Sequence, residues 1–102
     1  MMQSPLVELR ERFARTPDDD LAYAALRSAL HEAKAYFELA EALEKRASRD
    51  PDPRASAALL AEAGLFLEAA DRLERARQAY QRAIELDPRQ ALAANSVVRL
   101  GT

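Results

Sequence analysis

Few side chains in this chain could do chemistry. Its 102 residues include one histidine, His31, and no cysteine, so neither a zinc site of the usual ligand types nor a Cys-His nucleophile pair can be assembled from it. The densest acidic run is Asp18-Asp19-Asp20. A calcium loop would need spaced oxygen ligands and a turn glycine. Three consecutive carboxylates ahead of an apolar helical pattern suit instead the free N–H groups and positive dipole end of a helix. Glu62 and Glu68 share one helical stretch, but paired acid-base carboxylates need a cleft that raises one pKa, and solvation is the expectation for both. No phosphate-binding glycine loop or dinucleotide pattern occurs. The expectation is a chain without catalytic residues, metal or cofactor, and not an enzyme.

Composition points the same way. With 49% hydrophobic and 31% charged residues, the chain has the balance of a single globular domain, taken as residues 1–102. A formal net charge of −2 supplies no positive field for nucleic acid. Tyr36, Phe37 and Tyr80 fit core stripes better than base-stacking platforms. No apolar run is long enough for a membrane span, and the opening Met1-Met2-Gln3-Ser4-Pro5 lacks the pattern of a secretory signal. A cytoplasmic protein is expected, and the excess of Arg over Lys, 13 to 2, hints at a GC-rich bacterial genome.

The elements that must position these residues are all helical. Glycine is nearly absent, with Gly64 and Gly101 only, and helix formers fill the chain. Ser4 and Pro5 open a first helix with Leu6, Leu9 and Phe13 on one face. Leu21 to Ser48 contains no glycine or proline, yet its apolar stripe shifts phase: Tyr23, Leu26 and Leu30 do not run on into Tyr36, Leu39, Leu43 and Ala47. A tight bend at 33–35 is therefore expected, and another at 70–72. Asp52-Pro53 starts a helix bearing Ala57, Leu60, Gly64 and Leu67. Leu73, Ala76, Tyr80, Ala83 and Ile84 mark the next, and residues 89–100 the last. Within helices, Glu41 with Lys45 and Asp71 with Arg75 have salt-bridge spacing.

Prolines recur in similar settings, Thr16-Pro17-Asp18, Asp50-Pro51-Asp52 and Asp87-Pro88-Arg89, at steps of 34 and 37 residues. That period marks stacked helical hairpins. From Ala57 to Gln90 the residues Leu60, Ala63, Gly64, Leu67, Ala76, Tyr80, Ala83 and Pro88 resemble the tetratricopeptide repeat. A second copy lies over Asp20 to Pro53 through Tyr23, Leu26, Leu30, Leu39, Leu43 and Pro51. There Arg27 replaces the glycine, and Leu39 and Arg46 replace alanines, so this hairpin lacks the residues for close packing. Arg54, Ala55 and Ser56 read as an insertion between copies. The resemblance implies an all-α superhelix of about five antiparallel helices: a flanking helix at 4–16, repeats at 20–53 and 57–90, and a terminal helix at 91–101.

In that family the first helices of successive hairpins line a concave peptide groove. Carried over residue by residue, the resemblance places Leu21, Ala24, Ser28 and His31 there, with Ala58, Ala61, Leu65 and Glu68 from the second hairpin and Leu92, Asn95 and Arg99 from the last helix. Members that clamp a C-terminal carboxylate use lysine, asparagine and arginine at several of these positions. Here Ala, Ser and Leu dominate, so a helix or extended apolar segment is the expected ligand. The implied function is a noncatalytic protein-interaction module with a protein or peptide partner. The alternatives are a homo-oligomerising or internal structural segment of a larger repeat protein, since Leu92, Val97, Val98 and Leu100 leave the last helix apolar on more than one side, and a regulatory appendage of an enzyme.

Overall fold

The computed structural model describes residues 5–100, so the expected cap Ser4 and the terminal Gly101 lie outside the described residues. Six helices follow one another: α1 Pro5–Arg15, α2 Asp20–Glu32, α3 Tyr36–Arg49, α4 Pro53–Ala69, α5 Leu73–Leu86 and α6 Ala91–Arg99. The count is six rather than about five, and every described element is helical. Each helix packs on its sequence neighbours, the sequential packing of a helical solenoid.

Local chemistry sets the boundaries. The Asp19 side chain accepts from the backbone N–H of Leu21 and Ala22 at 3.0 and 3.2 Å, so one residue of the acidic triplet caps α2. Its neighbours reach α3 instead: Asp18 accepts from Arg49 at 2.6 and 2.8 Å, and Asp20 pairs with Arg46. Asp52 caps α4 through the N–H of Arg54, with Pro53 in the first turn. Arg54, Ala55 and Ser56, read as the insertion between copies, form the first turn of α4. The buried Ser56 hydroxyl donates to Ala47 O at 2.6 Å, tying the start of α4 to the end of α3.

Both expected bends are present, and neither uses glycine. Lys34 and Asp71 take positive φ values of 57° and 60°. At the first bend the N–H of Ala35 donates to Leu30 O and that of Lys34 to His31 O; at the second, Arg72 donates to Leu67 O and Asp71 to Glu68 O. This double bond pattern closes a helix with a left-handed residue, usually glycine. A side chain there costs roughly 1–2 kcal/mol.

The core joins Leu26, Leu30, Leu39, Leu43, Leu60, Leu67 and Tyr80, with small residues between them. Gly64 faces Tyr80 so closely that an added Cβ would lie 2.4 Å from Tyr80 Cε1 and 2.6 Å from Cζ. The bare Cα brings α4 and α5 together around a fully buried ring. The first hairpin, with Arg27 in the corresponding place, makes a sparser α2–α3 contact.

Four Arg–Glu pairs join helices that are next-nearest in sequence. Arg10 of α1 donates to Glu38 of α3 at 2.5 and 2.7 Å, and Arg75 of α5 to Glu44 of α3 at 2.7 Å. On the other layer Arg27 of α2 pairs with Glu62 of α4, and Arg99 of α6 donates to Glu68 of α4 at 2.7 and 2.8 Å. The helices thus alternate between two layers, α1, α3, α5 and α2, α4, α6, within extents of 49 × 29 × 15 Å. The within-helix pairings of Glu41 with Lys45 and Asp71 with Arg75 are replaced: Arg75 reaches Glu44, and Lys45 lies over the Phe13 ring.

Two substitutions test this geometry in urea denaturation. Gly64→Ala raises intrinsic helix propensity by roughly 1 kcal/mol, yet it is expected to lower unfolding free energy by about 1–3 kcal/mol, because the methyl must displace a buried ring. Lys34→Gly is expected to raise it by about 0.5–1 kcal/mol, relief of the left-handed cost outweighing glycine's added chain entropy.

Candidate functional site

The α2, α4, α6 layer carries the residues expected to face a ligand. Leu21 is 79% exposed and Leu65 42% exposed. Ala24, Ser28, His31, Ala58, Asn95 and Arg99 are also exposed, while Leu92 and Glu68 are half-buried. Ala61 differs, being fully buried: it belongs to the side of α4 turned into the core and offers no surface. At the last helix Leu92, Val97 and Leu100 pack against the core. Of the apolar side chains expected to leave α6 uncovered, only Val98, 78% exposed, does so.

One concavity of about 490 Å³ opens between α2 and α4, lined by Tyr23, Ala24, Arg27, Ser28, His31, Glu32 and Phe66. Three of the expected positions, Ala24, Ser28 and His31, meet there. The spacing of helical turns explains the arrangement, since Arg27 and His31 form one i, i+4 row on α2 and Glu62 and Phe66 form another on α4. The rows face each other. Arg27 pairs with Glu62 and also donates to the Tyr23 hydroxyl at 3.1 Å. His31 lies edge-on to Phe66, with ring centroids 5.9 Å apart, and Phe66 stacks on Tyr36 at 5.7 Å and 16°. The concavity therefore has an aromatic end and a neutralised ion pair in its wall.

Tyr23, Arg27, Glu32 and Phe66 were not among the residues expected at the site. Tyr23 read as core and Phe66 fell beside the α4 stripe. The matched rows with opposite charges at 27 and 62 were the signal that could have placed Phe66 opposite His31.

At the other end of the same layer, Glu68 and Arg99 are engaged with each other, and the Tyr80 hydroxyl donates to Glu68 as well. Glu62 and Glu68 are thus held in ion pairs rather than solvated freely. The Arg99 fork, with the Tyr80 hydroxyl adding to it, holds the Glu68 carboxyl below its usual range. Burial, reinforced by the Glu68 carboxylate, pushes the Tyr80 phenol up to about 12. This cluster joins α4, α5 and α6 and closes that end of the face.

Among the described residues no group of three or more His, Cys, Asp or Glu side chains could hold a metal ion, and no helix is long and apolar enough to cross a membrane.

The raised Tyr80 value has a direct consequence. A phenol that ionises at 10 when unfolded and near 12 when folded contributes stability that is complete below pH 10 and disappears as pH rises through 12. An alkaline titration followed by phenolate absorbance is expected to show a phenolate step displaced upward to about pH 12, and that step is absent in Tyr80→Phe.

No family model, curated protein or solved structure matches this chain.

Proposed function

We propose that this chain is a noncatalytic protein-interaction module of the tetratricopeptide-repeat type, which takes a helical or extended peptide on its α2, α4, α6 layer. The observation carrying the reading is that this layer exposes small and apolar side chains in a row, Leu21, Ala24, Ser28, Ala58 and Leu65, while Arg27 is paired with Glu62 and Arg99 with Glu68. A peptide can then approach close to the helices without first breaking an ion pair, and desolvation costs little where only methyl and methylene groups are covered. Family membership is supported by the placement of Gly64 against the Tyr80 ring and by hairpin units that repeat the same turn geometry at 33–35 and 70–72.

The reading is tested by mapping a peptide from a displayed library onto the chain through backbone amide NMR shifts. Shifts are expected in α2 and α4, and Leu65→Glu is expected to weaken binding at least about tenfold, since a carboxylate in the row must be desolvated, with the circular dichroism unchanged. Shifts confined to α1, α3 and α5 would exclude this face.

A further inference from the structure

The concavity between α2 and α4 carries more than a general apolar character. Of its charged side chains, Arg27 is committed to Glu62, so its positive charge is already matched inside the wall. Glu32 is exposed and has no ion-pair or hydrogen-bond partner among the described residues. It is also the last residue of α2, where the negative end of the helix dipole disfavours a carboxylate. The neighbouring cation Lys34 lines a separate depression with Tyr36, Phe37 and Ala69. The rim of the concavity is therefore a site of uncompensated negative charge, reinforced by the helix dipole. Beside it, Phe66 and the body of Tyr23 offer partly buried apolar surface, and Ala24 lines the same concavity.

Resting on the groove reading above, we propose that this concavity recognises a partner segment in which an aromatic or branched aliphatic side chain stands next to a lysine or arginine. The apolar side chain packs against the parts of Phe66 and Tyr23 that Tyr36 and Arg46 leave uncovered, where the rings supply apolar area. The adjoining cation reaches the Glu32 carboxylate in a charge-assisted hydrogen bond and relieves the unfavourable end of α2. An acidic residue at the same place meets both Glu32 and the terminal carbonyls of α2, so the site discriminates by repulsion as well as attraction.

The test is to pan a displayed random-peptide library on the immobilised wild-type chain and, separately, on Glu32→Lys. Exposure of Glu32 makes the variant safe for folding, which circular dichroism checks. Peptides enriched on the wild type are expected to carry Lys or Arg beside an aromatic or branched aliphatic residue and to lose about five- to tenfold in affinity on Glu32→Lys, while the variant enriches acidic residues there. Enriched peptides that fail to bind Leu65→Glu but show no basic bias, or show the same bias on Glu32→Lys, overturn this inference and leave the groove reading standing. Enrichment of nothing on either chain, or of peptides indifferent to Leu65→Glu, overturns both.

Discussion

The distance between α4 and α5 is set by a single missing methyl group. With Gly64 bare, the flat side of the Tyr80 ring lies where a Cβ would otherwise be, and the ring becomes the largest fully buried side chain among the described residues. Its hydroxyl, carried to the far side of that contact, meets Glu68, and Glu68 in turn holds Arg99. A van der Waals contact in the core of one hairpin thereby fixes the position of the next helix. The helix-propensity cost of glycine is offset because the contact lets a large aromatic be covered on all sides.

The first hairpin has no such contact; it buries Leu26, Leu30, Leu39 and Leu43, and ion pairs add to this at its edges. Arg46 lies over the Tyr23 ring and pairs with Asp20, Arg49 holds Asp18, and Arg27 spans to the second hairpin through Glu62. Arginine suits all these places, because its planar fork can stack on a ring and bind a carboxylate at once. The heavy use of arginine over lysine, which looked like coding bias, thus has a structural use as well. Individually, such exposed pairs contribute little to stability. Their effect is to select which helix lies beside which.

Helix positions, the phase shift at 33–35 and the role of Gly64 were legible because each leaves a local mark: an apolar stripe, a proline, or a small residue where propensity opposes it. The left-handed Lys34 was not, since nothing in its type reports a positive φ. Most of the exposed face could be placed from the repeat frame, whereas Ala61 could not, because one step around a helix separates surface from core and the frame fixes rotation only to about that accuracy. The concavity itself was hidden for a different reason. Phe66, Glu32 and Tyr23 line it together only after two helices far apart in sequence are set side by side, and a pattern read along one helix does not show what faces it from another.

The four pairs between next-nearest helices share an order of sign. All four carboxylates come from the two central helices, Glu38 and Glu44 from α3 and Glu62 and Glu68 from α4, and all four arginines from helices flanking them. The contact positions recur at the 37-residue step, Glu38 corresponding to Arg75 and Glu62 to Arg99. Lengthening the array by tandem duplication of either hairpin would accordingly set acid against acid: Glu44 opposite a second Glu38, or Glu68 opposite a second Glu62. The two hairpins are therefore not interchangeable bricks, and growth of such an array by gene duplication would need a charge reversal at each new junction.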